Sequence, residues 1–196
     1  MRLILVRHGQ IVANKKGRWH GSTDSPLTWT GRRQAKRTGR WLSKKEQFDA
    51  VYTSPLQRCR DTAAFAATAH EATVIDELAE MHIGDWEDMP FSQLHEEHNF
   101  FRRCTEDPTY CAPNGESLGE VAKRMKTAFD QIQAKHEEGE TILVVSHGVA
   151  LSIGLAELLE QDASKWRDYQ FANCSISEVK LTPRPLLVAL NQTFHL

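Results

Sequence analysis

Arg7-His8-Gly9 closes an apolar run, Leu3-Ile4-Leu5-Val6, and His147-Gly148 closes a second, Thr141-Ile142-Leu143-Val144-Val145-Ser146. Two other segments carry reactive side chains. One is Ser54-Pro55-Leu56-Gln57-Arg58, and the other is Leu78-Ala79-Glu80; Asn14 follows His8 by six residues. The set holds two arginines, two histidines and one carboxylate. Guanidinium forks match phosphate oxygens bidentately, and a protonated histidine adds charge and directional N–H donors. Such a set suits a phosphoryl group. Each residue also has a plain structural reading: His8 as an ordinary loop histidine, Glu80 as an exposed loop carboxylate with Asp85 or Glu87 as rival acids, and Glu116 as a helix-start residue rather than a pocket residue.

These side chains meet only if the elements bearing them share one edge of a sheet. Short branched runs read as buried strands, and in open α/β sheets ligands lie at the carboxyl ends of the strands, where His8 and His147 stand. The chain alternates such runs with helical patterns, which predicts βαβ units and a mainly parallel sheet. After the first strand comes a polar loop over 10–24, then a helix entered through Pro26-Leu27-Thr28 and running to about Lys44. Ala50-Val51-Tyr52-Thr53 reads as a strand; Ser54 as an N-cap with Pro55 at the first helical position opens a helix through Ala69. Thr73-Val74-Ile75 is a third strand. The stretch 76–114 is irregular, with a weak helix over 91–103. Ser117-Leu118-Gly119-Glu120 is a capping box, and Leu118, Val121, Ala122, Met125, Phe129 and Ile132 follow at helical spacing. A helix over 149–160 follows the 141–146 strand, and 175–181 with 186–191 close the chain as a pair of strands.

Composition narrows the function classes. At 196 residues, 40% hydrophobic and 26% charged, the chain has the make-up of one soluble globular domain. A formal charge of −2 offers no basic footprint for nucleic acid or a membrane surface, so both are excluded as expected partners. No signal peptide or bilayer-length apolar run is visible, and Cys59, Cys104, Cys111 and Cys174 stand apart without a metal or redox spacing; the expectation is a cytoplasmic protein with structural thiols. His95 and His98 are three apart where a zinc helix needs four, so they are expected on a solvated face. Trp19, Trp29, Trp41 and Trp166 are expected to pack rather than recognise.

In their order and spacing, several segments together resemble the histidine phosphatase superfamily, which includes the cofactor-dependent phosphoglycerate mutases. They are Leu5-Val6-Arg7-His8-Gly9 with Asn14, Asp24-Ser25-Pro26-Leu27-Thr28 with Gly31, Gln34 and Ala35, and Ser54-Pro55-Leu56-Gln57-Arg58 with Thr62-Ala63. Glu80 ahead of Gly84-Asp85-Trp86-Glu87, Asn114-Gly115-Glu116-Ser117, and Val145-Ser146-His147-Gly148 complete the set. Gly148, where the acid phosphatase branch carries Asp, points to the mutase-like branch. The resemblance implies a single-domain, three-layer α/β sandwich over 1–196, phosphoglycerate mutase-like, with helices on both faces of a mainly parallel sheet and 76–116 as a lid-like insertion.

The resemblance also implies roles. His8 is the nucleophile, forming a phosphohistidine that water hydrolyses; Arg7, Arg58 and His147 hold the equatorial oxygens and, as three positive neighbours, keep a proton off His8. Asn14 is a neutral donor to the phosphate, the backbone at His20 and Gly21 forms a substrate-contacting turn, Gly148 belongs to the same site, and Glu80 is the general acid and later the base. Neither cofactor nor metal is expected. The expected partner is a small-molecule phosphate ester, with a homodimer left open. The expected activity is hydrolysis of a phosphorylated metabolite, α-ribazole 5′-phosphate or a sugar phosphate. Its alternatives are a phosphoglycerate mutase, and a protein phosphohistidine phosphatase or non-catalytic phosphate-binding module. The intact His8, Arg58 and His147 argue against the non-catalytic reading. The acid-rich segment after Glu80, with only Arg102 and Arg103 to serve a bisphosphate, argues against the mutase.

Overall fold

A computed structural model describes residues 1–196. Its centre is a six-stranded sheet in the order β3-β2-β4-β1-β5-β6. The strands are β1 (Arg2–Arg7), β2 (Ala50–Thr53), β3 (Thr73–Val74), β4 (Thr141–Ser146), β5 (Ile176–Lys180) and β6 (Leu186–Gln192). β3, β2, β4 and β1 run parallel, as the alternation of patterns predicts; the closing pair β5 and β6 is antiparallel, with β5 antiparallel to β1. The helices are α1 (Val12–Lys16), α2 (Trp29–Lys45), α3 (Gln57–Ala66), α4 (Phe91–Glu96), α5 (Phe100–Glu106), α6 (Leu118–Ala134) and α7 (Gly148–Glu160).

The two-residue period of the strands divides the core. Leu3, Leu5, Ile142 and Val144 face the larger cluster, which takes in Val121, Met125 and Phe129 of α6 and Leu151 and Leu155 of α7. Ile4, Val6, Leu143 and Val145 face the other way, onto Leu42 of α2 and Cys59, Ala63 and Ala66 of α3. The central strands are thus apolar on both faces and sandwiched by helices. The register of β1 on β4 pairs Arg7 with Ser146, and His8 N–H donates to the Ser146 carbonyl at 2.9 Å. This pairing sets His8 beside His147.

The capping box forms as predicted: Ser117 Oγ accepts from Glu120 N–H, and the Glu120 carboxylate accepts from Ser117 N–H at 2.8 Å. Elsewhere the boundaries move. α3 starts at Gln57 rather than Pro55, because Leu56 stays extended (ψ 136°) and the first-turn N–H of Gln57 donates to Asp24 Oδ2 at 2.7 Å, a cap supplied from a distant loop. Ser54 Oγ accepts from Leu56 N–H but also meets His147, which holds it back from a helical start. The loop over 10–24 contains α1, and the single weak helix over 91–103 is two helices, interrupted at Asn99 in the left-handed region (φ 48°). Trp29 does not pack; it is 71% exposed, with the Arg33 guanidinium over its ring. His98 is not on a solvated face but stacks on Trp86 at 4.1 Å, while His95 is exposed. All four cysteines are free, three of them buried and Cys111 exposed. No helix is long and apolar enough to cross a membrane.

Candidate active site

A cavity of about 470 Å³ opens at the carboxyl ends of β1 and β4, lined by Arg7, His8, Asn14, His20, Glu80 and Gly148 together with residues from α1, α4, α5 and the 163–171 segment. His8 is buried, and its Nδ1 lies 2.8 Å from the Gly9 carbonyl, which can only accept. Nδ1 therefore carries the hydrogen, and Nε2 keeps its lone pair free at the cavity wall. Burial first, then the charges of Arg7 and Arg58, hold His8 well below the ordinary imidazole range, so the ring stays neutral.

Arg7 follows the last apolar residue of β1 and turns its guanidinium across the cavity floor. Nη1 donates to the Phe171 carbonyl at 2.6 Å, and the buried Nε has no protein partner. Burial opposes its charge and Glu80 supports it. Gly148 makes this placement feasible: a Cβ there would lie 3.1 Å from Arg7 Nε. A half-buried guanidinium with only Nη1 hydrogen-bonded, at a cavity wall, suits an anion.

Asn14, in α1, has its Oδ1 occupied by the Ile11 N–H (3.1 Å) and by Asn173 Nδ2 (3.1 Å). Its own NH₂ is thereby turned outward as a neutral donor. Asn173 also donates to the His8 carbonyl at 3.0 Å, tying the two loops together.

Glu80, half-buried, caps α7 from outside the helix: its carboxylate accepts from Ala150 N–H at 2.8 Å, Met81 N–H at 3.0 Å and Val149 N–H at 3.2 Å. A carboxylate suits the positive end of a helix. Glu80 thus stands against the same helix start as Gly148. The rival acids are engaged elsewhere. Asp85 accepts from Asn114, and Glu87 accepts from the N–H groups of Gly21, Ser22, Thr23 and Ile83. Burial works to raise the Glu87 carboxyl, but these bonds prevail and hold it below its usual range.

Arg58 and His147 do not line the cavity; both are fully buried behind His8, with the two imidazole centroids 5.2 Å apart. Arg58 Nε donates to His147 Nδ1 at 3.2 Å, Nη1 to Thr23 O at 2.8 Å, and Nη2 to Gly21 O at 2.7 Å and His20 O at 3.0 Å. Since Arg58 only donates, His147 Nδ1 must accept, and Nε2–H donates to Ser54 Oγ at 2.7 Å. Burial, then Arg58 and His8, keep His147 well below the imidazole range, so it is neutral. The expected trio of positive neighbours around His8 is corrected to two arginines and the stronger effect of burial.

Much of the 20–23 turn is likewise engaged: Glu87 takes the N–H groups of Gly21, Ser22 and Thr23, and Arg58 the carbonyls of His20, Gly21 and Thr23, so Gly21 offers no amide to a ligand. His20 reaches the cavity by its side chain, hydrogen-bonded to Asp88 and Ser25. Glu116 stays out of the cavity, forked onto Arg124. Several lining residues carried no sequence signal. Arg167, Gln170 and Phe171 come from a segment between α7 and β5 without helical or strand periodicity; Trp166, expected to pack, and Trp19, expected to pack though it lies in the loop nearest the site, both pack and line the cavity at once.

Comparison with known proteins gives the same grouping. A family model described as histidine phosphatase superfamily (branch 1) matches residues 3–193. Phosphoserine phosphatase 1 of Hydrogenobacter thermophilus is 35% identical over 201 residues, covering 100% of this chain and 94% of that protein. The crystal structure of phosphoserine phosphatase from Entamoeba histolytica in complex with 3-phosphoglyceric acid superposes with a TM-score of 0.88 at 30% identity, covering 99% and 98% of the two chains. The α-ribazole phosphatase of Shigella flexneri gives 0.85 at 29%, covering 98% and 96%. With its six-stranded sheet, its flanking helices and these matches along nearly its whole length, the chain belongs to the histidine phosphatase superfamily and has the phosphoglycerate mutase-like fold.

Proposed function

We propose that this protein is a phosphomonoesterase acting on a small phosphorylated metabolite through a phosphohistidine on His8. The observation that carries the reading is the free Nε2 of a neutral His8, facing a cavity that the Arg7 guanidinium and the carboxyl of Glu80 also line. The Nε2 lone pair attacks phosphorus, the ester P–O bond breaks, and protonated Glu80 gives its proton to the leaving oxygen. Water then yields a proton to Glu80 and attacks the phosphohistidine. The P–N bond breaks and inorganic phosphate leaves.

Arg7 and the Asn14 amide meet the equatorial oxygens, and Arg58 adds its charge from behind the ring. The two guanidinium groups supply the positive charge that neutralises the phosphoryl group. Residues 76–116 serve as the lid, bringing Phe91 and Phe101 over the cavity. Arg102 pairs with Glu106 and Arg103 lies over Tyr110, so neither serves the cavity, and the phosphatase relatives support hydrolysis over mutase chemistry. The volume and the aromatic wall with Arg18 and Arg167 leave room for an organic leaving group such as a sugar, α-ribazole or serine. A reducing, cytoplasmic setting suits the free thiols.

Rapid quench with a phosphomonoester should trap a phosphoenzyme that is acid-labile and alkali-stable, and His8→Ala should abolish both the adduct and turnover. An acid-stable, alkali-labile adduct would place the phosphoryl group on a hydroxyl and sink the scheme. Specificity constants across phosphoserine, sugar phosphates and α-ribazole 5′-phosphate identify the substrate. Interconversion of 2- and 3-phosphoglycerate faster than phosphate release would make the protein a mutase instead.

A further inference from the structure

Glu80 stands on a stretch, Glu77–His82, that pairs with no strand, yet each of its carbonyls finds a donor. Leu78 O accepts from Ser146 Oγ at 2.7 Å, Met81 O from Trp19 Nε1 at 3.1 Å, and His82 O from Glu116 N–H at 2.7 Å. The other three go to one side chain. Arg124, on α6, donates from Nη1 to Glu77 O at 2.8 Å and Ala79 O at 2.7 Å, and from Nη2 to Glu80 O at 3.1 Å. Its remaining donors fork onto Glu116, Nε to Oε1 at 2.7 Å and Nη2 to Oε2 at 3.0 Å. Glu116 in turn accepts the His82 N–H at 2.9 Å, so one ion pair holds both ends of the stretch.

A guanidinium has five N–H donors in a rigid fork, and all five are used here. Arg124 does not line the cavity. The Glu80 side chain runs from this clamped backbone to the start of α7. We propose that Arg124, locked by Glu116, is a positioning residue for the proton-transfer step: it sets the backbone from which Glu80 reaches the leaving oxygen. This rests on the reading of Glu80 as the proton donor.

The test compares Glu80→Gln, Arg124→Met and Arg124→Lys on two esters. Alkyl phosphates leave as basic alkoxides and need the proton, whereas nitrophenyl phosphate barely does. Arg124→Met should lower turnover of a sugar phosphate on the order of 10²-fold, the cost of roughly 1 Å of misplacement. Formation of phosphoenzyme from nitrophenyl phosphate and inhibition by vanadate should change little, since His8 and Arg7 are untouched. Arg124→Lys, which keeps the charge but not the fork, should fall in between.

If Glu80→Gln depresses both esters alike, the reading of Glu80 itself fails. If Glu80→Gln is selective for the alkyl ester but Arg124→Met lowers both equally, or neither, the positioning inference is overturned and Arg124 only stabilises the fold. Should Arg124→Met not fold, Glu116→Gln keeps the shape and weakens the fork. It should show the same selectivity at smaller size, and its absence overturns the inference as well.

Discussion

His8 is reactive because of what surrounds its two nitrogens. The Gly9 carbonyl takes the Nδ1 hydrogen, and burial together with Arg7 and Arg58 drives the ring's titration well below its ordinary value of 6.5. The lone pair on Nε2 therefore persists into mildly acid solution. We expect single-turnover phosphoenzyme formation, corrected for ionisation of the substrate phosphate near pH ~6, to stay level as pH falls through 6.5. A loss of rate centred near 6.5 would show an exposed, ordinary imidazole. His147, with a similar depression, is locked between Arg58 and Ser54.

Helix α7 does two things with its first turn. The N–H groups of Val149 and Ala150 hold Glu80, and the bare Cα of Gly148 lets Arg7 lie flat against the helix start. In Gly148→Ala the new methyl would press on a guanidinium that is anchored to the Phe171 carbonyl, displacing it by a few tenths of an ångström. Activity should fall by about tenfold, a fraction of the loss that a full 1 Å misplacement brings. The melting temperature should hardly move, because Ala favours a helix. Unchanged kcat/KM in the variant would mean that Arg7 does not hold the phosphate where the cavity places it.

For the whole molecule, two buried neutral histidines link stability to pH. Both His8 and His147 have folded values below the unfolded 6.5, so the unfolded chain binds more protons once pH falls below that point. Their contribution to stability is complete above about 6.5 and is lost as pH drops toward their folded values. Glu87, depressed from 4.5, contributes above that value and is lost lower still. The melting temperature should therefore decline from pH 7 to pH 5, and His8→Asn should flatten that decline; a profile level to pH 5 would contradict the burial of the pair. Phosphate neutralisation by arginine also predicts activity that survives exhaustive chelation and is inhibited by vanadate. Loss of activity restored by magnesium or zinc would refute it.

The elements that bear the chemistry were legible in the order of residues because their signals are local. Apolar runs ending in Arg7-His8 and in Ser146-His147 mark strands whose carboxyl ends must lie together, and the capping box at Ser117 marks a helix start through bonds spanning three residues. Asn14 and Glu80 could be named from motif order, and the structure sets both at the cavity with His8. What required the tertiary structure depends on partners far apart in the chain. Asp24, 33 residues away, moves the start of α3, and Glu87 and Arg58 take the amide and carbonyl of Gly21 that sequence alone offers to substrate. The commitment of Arg58 and His147 behind His8, the 163–171 wall and the grip of Arg124 on Glu77–His82 belong to the same class. Local propensity and periodicity are properties of a few consecutive residues, whereas burial, the tautomer of His147 and the direction of a guanidinium are decided by which distant donors and acceptors the fold brings within hydrogen-bond reach.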